Sequence, residues 1–204
     1  MENNCVFCDR IKFEARLVGE KKNFWIVATL GQISNGGYLL LIPKRHVSCF
    51  GAMEESEISE VEIIQDEICE AIFEEYECIP GIIFEHGIIG QTIKHAHLHF
   101  IPEFCGITER IRTDFPENEI MGIESLIELK NLYAKRQEPY LLWRDYDMIG
   151  GYAVCWNPKA RPEYLRILVA EAVGRPERGS WRNMDPELDK QLWAETVIRL
   201  KKYF

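Results

Sequence analysis

Ile93-Lys94-His95-Ala96-His97-Leu98-His99-Phe100-Ile101-Pro102 holds three of the chain's five histidines at alternate positions. A run of β-formers closed by proline predicts a strand, and the two-residue period of a strand predicts all three imidazoles on one face. Successive same-face Cα atoms of a strand stand roughly 6.6 Å apart, and the outer pair is about 13 Å apart. That span is too wide for three rings to close comfortably on one small ion with bonds of roughly 2.1 Å. The three histidines are therefore expected to divide their labour. A lone strand histidine is ordinarily a satisfied surface or core residue, and a pair at i, i+2 is often half of a metal site. Three in register directly after Gly90-Gln91-Thr92, whose groups are small or polar and suit phosphate, are harder to assign to chance.

Outward from this run, Phe24-Trp25-Ile26-Val27-Ala28-Thr29 and Tyr38-Leu39-Leu40-Leu41-Ile42 read as strands joined through Gly31 and Asn35-Gly36-Gly37. Residues 54–77 read as a long amphipathic helix. Ile58, Val61, Ile64, Ile68 and Ile72 recur at helical spacing, and Glu54, Glu55, Glu60, Glu67, Glu70 and Glu74 supply a solvated face. Pro80-Gly81 ends that unit, and Ile82-Ile83-Phe84-Glu85 is expected to pair with the histidine strand. After Pro102 the pattern predicts a helix over 123–136, strands at Tyr140-Leu141-Leu142-Trp143 and Tyr152-Ala153-Val154-Cys155-Trp156 around a turn at 145–151, and helices over 162–173 and 186–203. Each of those two helices has a proline at or near its first turn. The fold class is α+β: an antiparallel sheet carrying one long helix, plus a carboxy-terminal α/β extension. The expected division is 1–105 and 106–204, the second part packed on the first as an added layer or a degenerate second half. Trp143, Trp156, Trp181 and Trp193, with Arg144, Arg161, Arg166 and Arg182 among them, are expected to be core of that layer, since large aromatics in small layers are more often core than a base-stacking lid.

A chain of 204 residues is long enough for one sizeable core, and 47% hydrophobic with 28% charged residues is ordinary globular composition. Seven cysteines, an odd number, with no basic-plus-apolar leader at the start, point to a reducing compartment and a cytoplasmic protein. No apolar run reaches the ~18 to 20 residues of a membrane span. A net charge of −9 argues against nucleic acid as a partner. A small anion is compatible with it, held locally by backbone N–H groups, imidazoles and cations such as Lys44, Arg45 and Lys94.

The stretch Gly90 to Pro102 resembles the defining motif of the histidine-triad (HIT) superfamily. Gly37-Tyr38-Leu39-Leu40-Leu41-Ile42-Pro43-Lys44-Arg45-His46 resembles that family's strand entering a proline-lysine-x-histidine turn. Cys5-Val6-Phe7-Cys8 resembles the cysteine pair of its zinc-bearing, bacterial-type branch, here with a carboxy-terminal extension. The resemblance covers about residues 5 to 105. By itself a C-x-x-C is shared by redox motifs, zinc sites and inert reduced thiols. Thioredoxin-like chemistry wants the pair at a helix start after a strand, and none precedes Cys5. Two thiolates and two imidazoles suit tetrahedral zinc. The resemblance supplies the imidazoles, implying one structural zinc per chain on Cys5, Cys8, His46 and His95.

The same resemblance implies that His97 attacks the α-phosphorus of a nucleotide conjugate, forming a covalent nucleotidyl-histidine that water then cleaves. His99 would stabilise the growing phosphate charge. Gly90, Gln91 and Thr92 would hold phosphate oxygens or the leaving group. The substrate class implied is a dinucleoside polyphosphate or nucleoside phosphoramidate, and a homodimer is possible. A third histidine stands where the hexose-1-phosphate uridylyltransferase branch typically has glutamine, which fits the hydrolase branches. Tyr38 stands where many members carry histidine, and Glu85-His86 near where they carry asparagine or glutamine. Leu30-Gly31 occupy the area of an acid that commonly holds ribose hydroxyls. Glu85 would repel a phosphate unless it points away or binds hydroxyls. Two other readings are a zinc-stabilised nucleotide-binding or regulatory module with little turnover, and a metal hydrolase using His95 and His97 on an open zinc.

Overall fold

A computed structural model of the chain describes residues 5–145 and 151–204. Its strands are β1 Leu17–Glu20, β2 Phe24–Ala28, β3 Leu39–Pro43, β4 Ile82–Gly87, β5 Leu98–Ile101, β6 Ile120–Ile123, β7 Tyr140–Arg144 and β8 Tyr152–Trp156. The helices are α1 Glu55–Tyr76, α2 Thr108–Asp114, α3 Leu126–Arg136, α4 Tyr164–Ala172 and α5 Pro186–Leu200. Most of the turn expected at 145–151 lies outside the described residues.

All eight strands join one sheet in the order β1-β2-β3-β5-β4-β7-β8-β6, every neighbour antiparallel. Strand β4 pairs on one side with β5, where Phe84 faces His99, and on the other with β7, from Ile83 facing Arg144 to Gly87 facing Tyr140. The ladder thus runs without interruption from the amino-terminal strands into those of the last hundred residues. Strands β2, β3, β4 and β8 are buried along their whole length, because both faces of the sheet are covered. One face packs on Ile58, Val61, Ile64, Ile68 and Ile72 of α1 and on Leu126 and Leu129 of α3. The other packs on Phe7 and Phe13 of the amino-terminal segment, Ile111 of α2, and Leu165, Leu168 and Val169 of α4.

Helix α1 forms where the apolar spacing places it. The Glu57 carboxylate takes the backbone N–H of Glu54 at 2.9 Å, satisfying a donor at the helix start, and Glu77 in the left-handed region (φ 52°) ends it. Helix α5 opens with Pro186 and an Asp185 cap on the Leu188 N–H. Helix α4 is different: Pro162 precedes it, and Glu163 at φ 62° turns the chain into a helix that starts at Tyr164.

The histidine run is a strand only in its second half. Leu41 faces Leu98 as the last pair, and Pro43, two residues on at the end of β3, has no N–H to continue the ladder. His95 therefore ends a bend, with its N–H on the Ile93 carbonyl at 2.8 Å, His97 lies in the lead-in, and His99 alone of the three sits in the ladder. Among the described residues, no helix is long and apolar enough to cross a membrane.

Candidate active site

Because Pro43 ends the ladder, its carbonyl is left for a side chain. His95 Nε2 donates to it at 2.8 Å, so the ring presents Nδ1 as its lone-pair nitrogen. That nitrogen lies 3.4 Å from Cys5 Sγ and 3.5 Å from Cys8 Sγ, and Cys8 Sγ lies 3.3 Å from His46 Nδ1. All four ligand atoms fall within 4.8 Å of one another. A tetrahedron with bonds of roughly 2.3 Å to sulfur and 2.0–2.1 Å to nitrogen has edges of about 3.6 Å. The donor set therefore fits a zinc ion closed by four protein ligands. Between the two cysteines, Phe7 stands edge-on to His95 at 5.9 Å and to His97 at 5.2 Å, so the cysteine turn also forms a wall beside the central histidine.

His97 is oriented by its own chain. Its Nδ1 lies 2.7 Å from the carbonyl oxygen of His95 and donates to it, which leaves Nε2 as the basic nitrogen. Burial lowers its pKa to about 4; the carbonyl bond opposes that shift, while His95 and Arg166 add to it. The ring is neutral at pH 7 and nucleophilic without a separate base. His99 stands 4.8 Å away, stacked at 4.2 Å on Phe84, with Nδ1 2.6 Å from the Tyr38 hydroxyl. Its Nε2 is buried with no hydrogen-bond partner among the described residues. Burial first, then the nearby His97 and Arg166, holds the pKa of His99 well below the ordinary histidine range.

His97, His99 and Thr92 line a cavity of about 260 Å³, together with Phe7, Phe13, Leu40, Ile93 and Trp181. Its lining also holds Lys12, Arg16 and Arg166 and, among the described residues, no carboxylate, in a chain whose net charge is −9. This local reversal of sign favours an anionic ligand. Arg16 donates to the Ala28 carbonyl at 2.8 Å, and burial pulls its pKa down to about 10 against the opposing influence of Asp189.

Gly90 and Gln91 stand outside that lining. Gln91 donates to the Ser48 carbonyl at 2.8 Å. Gly90 has φ +79°, and a Cβ there would meet His86 Cδ2 at 2.6 Å, so this glycine is required by close packing as well as by backbone conformation. Its carbonyl takes the N–H of Glu163 at 2.9 Å, tying the turn to the entry of α4. Glu85 points away from the histidines. Its carboxylate accepts from the Phe50 N–H at 2.9 Å and the Tyr140 hydroxyl at 2.6 Å, and complete burial pushes its pKa up to about 8 against those two bonds. His86, its neighbour on β4, faces α4 and accepts the Leu165 N–H at 3.1 Å. Burial lowers the pKa of His86 to about 3.

The carboxy-terminal half contributes to this site. Trp143 and Trp156 are core, as their size implies, but Trp181 lines the cavity with Arg182 over its ring at 4.3 Å. Arg166 is a buried cation whose Nη1 reaches the Tyr38 hydroxyl at 2.9 Å and whose Nη2 reaches the Gly31 carbonyl at 2.7 Å. Gly31, at φ +70°, has room for neither a side chain nor a shift, since a Cβ would lie 2.6 Å from both Arg166 Nη2 and Trp181 Cα. The sequence offered one sign of this role, a single arginine inside the otherwise apolar stretch 164–170.

The HIT domain family profile matches residues 12–105. That part of the chain is similar to HIT domains. An uncharacterized HIT-like protein of Mycoplasma genitalium is 25% identical over 108 residues, covering 50% of this chain and 74% of its own. Another, from Methanocaldococcus jannaschii, is 28% identical over 115 residues, covering 53% and 85%. Among solved structures, a zinc-bound histidine triad family protein from Mycobacterium smegmatis is similar at 25% identity and a TM-score of 0.42, covering 49% of this chain and 75% of that one.

Proposed function

We propose that this protein is a nucleotide phosphohydrolase or nucleotidyl transferase that works through a covalent nucleotidyl-histidine on His97. The observation that carries the reading is the bond from His97 Nδ1 to the His95 carbonyl, which leaves a neutral, nucleophilic Nε2 on a cavity lined by cations. In the first step Nε2 attacks the α-phosphorus, a P–N bond forms, and the bond from phosphorus to the leaving group breaks with its electron pair on that group. His99 Nε2, which lacks a partner among the described residues, stabilises the phosphoryl oxygens as charge grows. In the second step water attacks the same phosphorus, the P–N bond breaks with its electron pair returning to His97, and the proton that water gives up passes to solvent. One water is consumed overall, or an alcohol or phosphate acceptor takes its place in transfer. Thr92 lines the cavity beside both rings and is suited to hold a phosphate oxygen. Gly90 and Gln91 support the turn that carries Thr92. Dinucleoside polyphosphates and nucleoside phosphoramidates are the substrate classes proposed.

Cys5, Cys8, His46 and His95 would hold a zinc ion, which supplies cross-linking of the amino-terminal segment to the sheet and leaves no protein-free position for water activation. With His95 committed in this way and His97 Nδ1 committed to a carbonyl, a shared open metal on these two rings is disfavoured.

Incubation with a panel of α-phosphate-labelled conjugates tests the reading. Release of labelled nucleoside monophosphate from at least one class, undiminished by added chelator over the assay, is the expected result. Tight nucleotide binding with no release from any class would replace it with the zinc-stabilised binding module.

A further inference from the structure

We infer that Arg166, from the half of the chain outside the HIT-like part, is a positioning residue that acts through the Tyr38 hydroxyl to fix His99 as its Nε2–H tautomer. The inference deepens the nucleotidyl-transfer reading and rests on it for its chemical purpose.

Donors and acceptors decide which ring nitrogen carries the proton. A guanidinium only donates, so the 2.9 Å bond from Arg166 Nη1 uses the Tyr38 oxygen as an acceptor. The hydroxyl has one proton left to place, and its other partner is His99 Nδ1 at 2.6 Å. If Nδ1 carried the ring proton, the tyrosine oxygen would face two donors and its own proton would be buried without an acceptor. The ring would then also bury an unused lone pair at Nε2. The alternative in which Tyr38 donates to Nδ1 satisfies both shared groups. It leaves one buried N–H, at Nε2, on a ring that lines the cavity. A phosphoryl oxygen of a bound substrate is the acceptor that completes the chain Arg166 to Tyr38 to His99.

Arg166 is itself held so that it can do this. Its Nη2 donates to the Gly31 carbonyl at 2.7 Å and its Nε to the Gly179 carbonyl at 3.3 Å, while the guanidinium lies 5.4 Å over the Tyr38 ring. These bonds go to two carbonyls and a hydroxyl rather than to a carboxylate. The positive charge therefore stays in the pocket for an anion to meet, and it helps keep His99 neutral, as a tautomer-based donor must be. Tyr38 is held protonated by its own burial, which pushes its pKa up to about 12. The geometry gives the last hundred residues a part in the chemistry of the first hundred.

The test reads the tautomer directly, by long-range proton–nitrogen correlation spectra of the zinc-loaded full chain labelled with ¹⁵N-histidine at pH 7. Five histidines keep the spectrum assignable. In the unaltered protein His99 is expected as the Nε2–H form. Arg166→Met should lower the ratio of Nε2–H to Nδ1–H at least about tenfold, the worth of one charge-assisted hydrogen bond. Tyr38→Phe, which keeps Arg166 and the aromatic ring, should do the same and carries the test if Arg166→Met does not fold. His99 found as the Nδ1–H form in the unaltered protein, or an unchanged tautomer in a folded variant, would overturn the inference. The spectra need no turnover, so failure of the nucleotidyl-transfer reading shows in the substrate panel and failure of this inference shows here.

Discussion

The imidazole of His95 donates from Nε2 to the carbonyl of Pro43 at 2.8 Å, joining the first residue of the histidine row to the residue that ends β3. One proline thus accounts for two features. It stops the ladder short of His95, and it supplies the acceptor that turns His95 Nδ1 toward the cysteine thiols.

The first prediction follows from that orientation. The purified protein should hold about one zinc per chain, and Cys5→Ser/Cys8→Ser should lose it. Because such a site contributes to folding, the double variant should also melt at a lower temperature. Phe7, on the turn between the cysteines, should become accessible, since its contacts to His95 and His97 depend on that turn. Elemental analysis and thermal denaturation check this; unchanged metal content would refute the ligand set.

Stability should peak near pH 6.5. His86 has its pKa lowered to about 3 and His97 to about 4, and His99 is held well below the ordinary value, all chiefly by burial. As pH falls below about 6.5, the unfolded chain takes up protons that these folded rings refuse, and each costs ~1.4 kcal/mol per pH unit. Glu85 works in the opposite sense. Its pKa is raised to about 8, so its contribution is complete below its unfolded value near 4.5 and is lost as pH climbs toward 8. Between 4.5 and 6.5 the three histidines outweigh the one carboxyl, and above 6.5 the carboxyl acts alone. Melting temperature against pH should therefore rise and then decline, and Glu85→Gln should remove the decline. A decline that survives in that variant would contradict the assignment.

Much of this organisation was legible in the sequence, and the exceptions share a cause. Strands β2, β3, β4, β7 and β8 and helix α1 are continuous apolar runs or clear helical stripes, so local pattern finds them. Strand β1, four residues with Gly19 among them, has too little pattern. Helix α2 buries only Ile111 and is capped from Asp145, whose carboxylate takes the N–H groups of Ile107 and Thr108 at 2.7 and 2.9 Å. Nothing local announces a cap 38 residues away. The site divides the same way. Periodicity exposes the histidine row, whereas Arg166 meets Tyr38 across 128 positions, a pairing that only the folded sheet creates.

A similar long-range tie sets the rim of the cavity. Asp189 of α5 accepts the N–H groups of Gly31 and Gln32 at 2.9 and 3.1 Å. Asp189→Ala would leave both buried donors without partners, a loss of about 1–3 kcal/mol. Asp189→Asn, which keeps an acceptor oxygen, should lose less. Denaturant titration should show that order with zinc content unchanged in both; equal stability of all three proteins would mean the tie contributes nothing.

In the proposed mechanism His97 carries the covalent step, which rapid quench with a substrate labelled at its α-phosphate would trap. An acid-labile, base-stable labelled adduct is expected in the unaltered protein. None is expected in His97→Ala, with fold and zinc retained. His99→Ala should still form the adduct, about 10²- to 10³-fold more slowly, as for loss of one donor to a developing oxyanion. An adduct that persists in His97→Ala, or wild-type turnover in that variant, would contradict the mechanism.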